Sequence, residues 1–308
     1  MTDRKEICVL GSLNVDLTVS LKRFHKPGET VAGTDFRMFT GGKGGNQAIA
    51  AARLGSKVIM VGCLGNDAYG ALYRDTLQNH GISGEYVFTA EDTPTGVALI
   101  EVDSAGENRI IVVPGANEKL TEDCVINAVP VLSGCSILLL QLEVPINSVM
   151  CAAKITSNAG GIVILDPAPF VAGAPDELFA LCDYLTPNEH ELGMLTDMPA
   201  ESETEAIAAC EYLLAKGAKA VINKRGQHGA LLVTNGAVEA VRAHAVRALD
   251  TTAAGDTFNA GFAVGLSLGM APAEALRLAN AAAALSTTAM GAQNAMPALG
   301  DALKLAGL

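Results

Sequence analysis

Short apolar runs, most of them followed by a helical pattern, set the rhythm of this chain and leave it few folds to choose from. Strands are expected at Ile7–Leu10, Val58–Val61, Ile137–Gln141, Ile162–Leu165, Tyr184–Thr186 and Ala220–Asn223, with Leu231–Val233 close behind. Helical periodicity falls between them at Gln47–Leu54, Gly70–His80, Ile146–Asn158 and Glu203–Lys216. Runs that are apolar on every residue suit strands buried on both faces, which is the condition inside a parallel sheet covered by helices. Right-handed crossovers then put helices on both sides. The expected fold is therefore α/β: a doubly wound, mostly parallel sheet flanked by helices on both faces.

Two segments break the rhythm. Leu17–Thr40 and Thr95–Val113 carry no helical pattern, and the second reads as strands Gly96–Val102 and Arg109–Val113 around a turn. Both leave the sheet near the C-terminal ends of strands, where ligands of open α/β sheets bind. Residues 17–40 and 95–113 are thus expected to form a small β-sheet lid, and residues 1–16, 41–94 and 114–308 the core domain. Exposed edge strands in such a lid would be safer covered by a second copy, so a homodimer through the lid is expected. Further on, Ala253–Asp256 opens a helix running through Leu268, and Pro272 starts another that reaches about Thr288.

Composition removes several function classes. With 21 basic and 33 acidic side chains the net charge is −12, which repels nucleic-acid backbones and anionic membranes at long range. A small anionic ligand is not excluded, because a local ring of backbone amides overrides the global charge. The mean hydropathy of +0.31 invites a membrane reading, but no apolar stretch is long enough to span a bilayer. Met1–Glu6 leads straight into an apolar strand without a signal peptide's apolar core, so a cytoplasmic location is expected. Seven scattered cysteines without a Cys-x-x-Cys pair read as reduced, mostly buried thiols, and the histidines show no zinc-ligand spacing.

The chemistry concentrates in two stretches. Gly41-Gly42-Lys43-Gly44-Gly45-Asn46 precedes a helix and fits neither a dinucleotide fingerprint nor a Walker A loop. It reads either as a tight turn or as a ligand cradle. Asp250-Thr251-Thr252-Ala253-Ala254-Gly255-Asp256-Thr257-Phe258 puts small residues at a helix start, where open N–H groups form an anion hole at Ala253, Ala254 and Gly255. Asp256 there is either a helix-capping acid or a general base. Polar residues at strand ends (Asn14 and Asp16, Gln141 and Glu143, Asn188 to Glu191) read either as solvent-facing loop polarity or as groups facing one ligand-binding edge of the sheet, and Gly226–Gly229 as a turn or a nucleotide-contacting loop.

Taken in order, Gly11–Asp16, Pro27–Val31, Gly41–Ala48, Thr95–Leu99, Pro114–Asn117, Asp166–Pro169, Thr186–Glu189 and Asp250–Phe258 resemble the ribokinase branch of the ribokinase/phosphofructokinase-B sugar kinases. The resemblance covers nearly the whole chain. It implies ATP-dependent phosphorylation of D-ribose at the 5-hydroxyl, with a sugar held by Asn14, Asp16, Gly42, Lys43, Asn46 and Glu143 and with Asp256 as the base. It implies nucleotide contacts from Asn188, Lys224, Arg225, Gly226, Gln227, His228, Gly229, Gly255 and Asn280. Mg²⁺ comes with ATP, and Glu191 matches the family element linked to it. A monovalent-cation site, K⁺ by resemblance, maps to Asp250, Thr252, Ser286, Ala289, Gly291 and Ala295. Kinases for 2-deoxyribose, a ketohexose or a nucleoside remain open, as does a sugar-binding regulator without catalysis. A nicotinamide oxidoreductase lacks its glycine fingerprint after the first strand.

Two departures from the family pattern carry expectations of their own. Gly45 stands where close relatives have alanine, which should loosen the loop slightly. Lys224 and Arg225 stand where small residues are usual, and phosphate contacts from either would compensate.

Overall fold

The computed structural model describes residues 6–308, so the first five residues of the expected core segment 1–16, and with them most of the stretch read for a leader, lie outside the described residues. The chain runs β1 (Ile7–Leu10), β2 (Asn14–Ser20), β3 (Asp35–Gly41), α1 (Lys43–Arg53), β4 (Val58–Gly65), α2 (Ala68–Asn79), β5 (Ser83–Ala90), β6 (Gly96–Val102) and β7 (Asn108–Val113). It continues through α3 (Glu122–Asn127), α4 (Val129–Gly134), β8 (Ile137–Leu140), α5 (Ile146–Asn158), β9 (Ile162–Leu165), α6 (Asp176–Ala180), β10 (Tyr184–Leu185), α7 (Glu189–Thr196) and α8 (Glu203–Ala215). It ends with β11 (Val221–Lys224), β12 (Ala230–Thr234), β13 (Ala237–Val241), α9 (Ala254–Ser267), α10 (Pro272–Ser286) and α11 (Leu299–Ala306).

Nine strands form one sheet in the order β13-β12-β11-β10-β9-β8-β1-β4-β5. All pairs are parallel except β11–β12 and β12–β13. The order reverses at β1, which lies between β4 and β8, and open α/β sheets bind ligands at such a switch point. Alternate residues of the central strands enter two separate cores. Ile7, Val9, Ile137 and Leu139 pack with α1, α9 and α10, whereas Cys8, Leu10, Leu138 and Leu140 pack with α5 and α8. Burial on both faces is the reason these strands read as unbroken apolar runs. All seven cysteines are free, and five are buried. Among the described residues no helix is long and apolar enough to cross a membrane.

A second sheet has the order β3-β2-β6-β7. It takes in Asn14 to Asp16 and Gly41, which the sequence had placed with the core, because β2 is hydrogen-bonded from Asn14 onward to Gly41 on one side and Gly96 on the other. The edges of this sheet are β3 and β7; β6, expected at an edge, is paired on both sides. The edge strand β5 of the large sheet, and β13, escape sequence reading because β5 is half-buried, β13 is mostly exposed, and neither has a clean apolar run.

One buried side chain ties the small sheet to the core. Asn117 accepts from the Leu13 backbone N–H at 2.8 Å and donates to Asn14 Oδ1 at 2.7 Å and the Pro114 carbonyl at 2.9 Å. An amide has two donors and one carbonyl oxygen, and here every one of them is used. Asn117→Ala orphans the buried Leu13 N–H, and urea denaturation is expected to show a loss of roughly 2–3 kcal/mol.

Candidate active site

The helix α1 starts at Lys43, not at Gln47, so only Gly41 and Gly42 of the glycine stretch lie outside it. The sequence hid this start because glycine disfavours helix. Gly42 is the N-cap at φ 82°, and a β-carbon there would lie 2.8 Å from the Asn14 nitrogen. Gly45 faces a different neighbour. A β-carbon on it would sit on the hydroxyl of the buried Tyr73, which reaches over from α2 and donates to the Gly41 carbonyl at 2.6 Å. The glycine in place of alanine therefore does not loosen the loop: the phenol fills the vacated space and anchors the strand end.

The helix turn beginning at Lys43 aims Asn46 and Gln47 at Asp256, in the first turn of α9. Asn46 Nδ2 donates to Asp256 Oδ2 and Gln47 Nε2 to Asp256 Oδ1, each at 3.1 Å. Gln47 Nε2 also donates to Asp166 Oδ2 at 3.2 Å, and the Lys224 ammonium holds Asp166 Oδ1 at 2.9 Å. Asp256 is buried, and burial pushes its pKa up to about 6; Lys43 opposes this and Asp166 adds to it. Lys43 is itself desolvated, but the carboxylates of Asp256, Asp166, Glu143 and Glu191 outweigh that and keep it firmly charged.

The first turn of α9 has no side-chain cap, whereas α7 and α8 close theirs with capping boxes. Its N-cap, Ala253, is held in the left-handed region at φ 59°, a conformation that costs about 1 kcal/mol or more in a residue with a β-carbon. The Ala254 N–H is spent on the Thr251 carbonyl at 3.2 Å, which corrects the expected anion hole. The N–H groups of Ala253, Gly255 and Asp256 take no acceptor among the described residues. Lys224 overhangs them, its ammonium 3.5 Å from where a Gly255 β-carbon would be.

On the small-sheet side, Asp16 is pushed up to about 7 by burial, with Glu143 and Asp256 adding. Glu143 Oε2 accepts from Ser12 Oγ at 2.5 Å and from the Lys43 N–H at 3.0 Å. Asn14 has its carbonyl oxygen taken by Asn117, which leaves its N–H₂ to donate. Asn46, Lys43 and Asp16 thus face Asp256, Glu143 faces Asp16 and the Lys43 N–H, and Gly42 lies against Asn14 at the adjoining strand end.

Beyond the anion hole, a cleft of about 550 Å³ is lined by Asn188, Glu191, Lys224, Gly226, Gln227, Gly229, Gly255 and Asn280, joined by His244, Val246 and Ala248. Asn188 and Glu191 cap α7 through reciprocal 2.8 Å bonds, and each keeps a polar atom for the cleft. Two expected residues are not there. Arg225 is turned away into a buried contact with the Glu201 carbonyl at 2.9 Å and the carboxylates of Glu189 and Glu203, whose charge it offsets. His228 is exposed, outside the lining, because the 3-10 turn Gly226–His228 carries it outward.

The loop after α10 folds back on Asp250. Asp250 accepts from the Thr252 N–H and the Gly291 N–H, each at 2.9 Å; burial opposes its charge, but these bonds outweigh burial and lower its pKa. Ala295 N–H donates to the Gly291 carbonyl, Ala289 lies exposed in the turn, and the carbonyl of buried Ser286 receives no hydrogen bond among the described residues.

Gln47, Tyr73, Asp166 and Gln293 were missed as site residues by sequence reading. Asp166 alone had a signal, in Asp166-Pro167-Ala168-Pro169 following a strand. A glutamine inside a helix, such as Gln47, announces nothing.

A family model described as "pfkB family carbohydrate kinase" matches residues 4–299. The chain is 39% identical over 301 residues to a ribokinase of Haemophilus influenzae, covering 98% of each chain. It is 36% identical over 294 residues to a deoxyribokinase of Salmonella typhi, covering 96% of each. Its fold matches that of Arabidopsis thaliana ribokinase, solved in complex with ribose and ATP, with a TM-score of 0.90 and 36% identity over 99% of each chain.

Gly45→Ala is expected to cost about 1–3 kcal/mol in thermal unfolding by forcing Tyr73 aside. Adding Tyr73→Phe should restore only part, since the ring carbon bearing the hydroxyl is itself 2.8 Å from the new methyl.

Proposed function

The chain belongs to the pfkB family of carbohydrate kinases, and from that premise we propose that it transfers the γ-phosphoryl group of ATP to the 5-hydroxyl of D-ribose. The observation that carries the reading is a desolvated carboxylate, Asp256, set in the first turn of an uncapped helix between a cluster of hydroxyl-pairing groups and a cleft of nucleotide size. Asn14, Asp16, Glu143 and Lys43 hold the sugar. Carboxylates and amides pair with vicinal hydroxyls, and a site built on such bonds rejects sugars that lack them. ATP lies along Asn188, Lys224, Gly226, Gln227, Gly229 and Asn280, with its terminal phosphate at α9.

Asp256 accepts the proton of the hydroxyl as that oxygen attacks phosphorus in line. The open amides of α9 and the ammonium groups of Lys43 and Lys224 face the charge that develops on the phosphoryl oxygens. Mg²⁺ arrives with ATP as part of the substrate, and Glu191 and Asn188 lie in the cleft to meet it. The donors around Asp250 suit a monovalent cation such as K⁺: a carboxylate kept ionised and a buried Ser286 carbonyl without a donor, both hard oxygen ligands. When bound, such an ion supplies positive charge that stiffens the loop before α9. The free thiols suit a reducing cytoplasm.

A 2-deoxyribose kinase is the second reading, supported by the Salmonella relative. Ranking ribose, 2-deoxyribose, ketohexoses and nucleosides by kcat/KM with MgATP decides between them, and no turnover of ribose would remove the first reading. Asp256→Asn is expected to lower kcat roughly 10²–10⁴-fold with a small change in KM. In the wild type, kcat, measured with the sugar already bound, should fall on the acid side of about pH 6, where Asp256 takes up the proton that disables it; kcat/KM should fall earlier, near 7, as Asp16 takes up a proton. Turnover near wild type in Asp256→Asn contradicts the assigned role.

The small sheet is the lid of this site and, we propose, the contact with a second copy of the chain. Met38, Leu17, Leu99 and Ile111 are in register on one of its faces, and Phe36 is 62% and Ile111 64% exposed. Such an apolar face is covered in a stable assembly. Sedimentation should give a dimer at micromolar concentration and a monomer for Ile111→Glu; a monomeric wild type would refute this.

A further inference from the structure

Two amides grip Asp256, one on each oxygen, and an amide performs this task in only one of its two orientations. Turned end for end, it presents a carbonyl oxygen to the carboxylate and repels it. For Gln47 the orientation is set by Gln141, whose Nε2 donates to Gln47 Oε1 at 2.7 Å. For Asn46 the matching partner comes from the loop between α10 and α11: Gln293 Nε2 donates to Asn46 Oδ1 at 3.0 Å. Gln293 is buried, and its own orientation is set by the Thr40 hydroxyl, which donates to Gln293 Oε1 at 2.5 Å. Thr40 belongs to β3, one residue before its end, and the loop carrying Gln293 is pinned at Gly291 by Asp250.

We infer that Gln293 is a positioning residue that locks the Asn46 amide toward Asp256 and ties the base to the root of the small sheet. It rests on the reading of Asp256 as the base but concerns a residue outside the cleft, which Gln293 does not line. Without it Asn46 is free to turn, Asp256 loses one of its two amide donors, and the carboxylate holds its proton more tightly. The other charged groups facing Asp256 are Lys43 from α1, Asp166 after β9, with Lys224 of β11 paired to it, and Asp16 from β2, and none of them is altered by the substitution. The phenol of Tyr73, from α2, faces the Gln293 amide and stays neutral because burial raises its pKa strongly.

The test uses the full chain, with D-ribose and MgATP, across the acid limb of the pH profile. Gln293→Leu is expected to lower kcat about tenfold, the worth of one buried hydrogen bond to a charged group, and to move the acid limb up by about half a pH unit. The KM for MgATP should not change. Thr40→Val should shift the limb in the same direction, Thr40→Ser should restore it, and the double variant with Gln293→Leu should be no worse than Gln293→Leu alone. An acid limb unmoved in Gln293→Leu and in Thr40→Val overturns the inference, as does a loss that appears only in the KM for ATP. If Gln293→Leu does not fold, the Thr40→Val and Thr40→Ser pair decides alone. Infrared titration of the Asp256 carboxyl, by difference from Asp256→Asn, reads the same shift without substrate. It therefore separates failure of this inference from failure of the ribose reading.

Discussion

A carboxylate removed from water must be held by something, and the architecture around the switch point is arranged to hold Asp256. Burial alone drives such a group toward its neutral form, in which it accepts no proton. Here Lys43 and the side-chain amides of Asn46 and Gln47 keep it available as an anion, while burial still raises its pKa to about 6. The result is a carboxylate that is largely ionised at neutral pH yet more basic than an exposed aspartate. Each side-chain amide is in turn fixed by a neighbour, Gln47 by Gln141 and Asn46 by Gln293, so the geometry around Asp256 depends on residues that do not touch it.

Lys224 and Asp166 add a second layer. Their buried pair places a cation beside the uncapped start of α9 and a carboxylate that shares the Gln47 amide with the base. A buried ion pair contributes little net stability, because desolvation offsets its attraction. Its position accounts for it better, since it sets a positive charge beside the first turn of α9 and a negative one beside the Gln47 amide. The neighbouring Arg225 has the opposite fate: it is buried against three acidic residues of the α7–α8 region and serves that corner of the fold.

The large sheet was legible in the chain because strands buried on both faces write themselves as unbroken apolar runs, as Ile137–Leu140 and Ile162–Leu165 do. The half-buried β5 and the exposed β13 wrote no such signal. The placement of the candidate site was legible where local pattern dictates it: Asp256 after small residues at a helix start, Asn14 and Asp16 after the first strand. It was illegible where packing decides. Nothing in Lys224-Arg225 says which cation turns into the cleft, and nothing around Gln47 or Gln293 says that their amides meet partners from distant elements. The meaning of Gly45 lay in a tyrosine of the next helix. The uncapped start of α9 could be placed from its small residues, but not which of its N–H groups stay open, because the turn that spends the Ala254 N–H on Thr251 depends on a left-handed alanine.

Strand β3 ends at Gly41 and helix α1 begins at Lys43, so a single residue joins the small sheet to the element that carries the amides. A connection that short has no slack. Any tilt of β3 is transmitted as torque to the opening turn of α1 and arrives at Asn46 before it can be absorbed. The small sheet and the amides that meet Asp256 are therefore coupled through Gly42, and lengthening that joint by even one residue would let the one shift without the other.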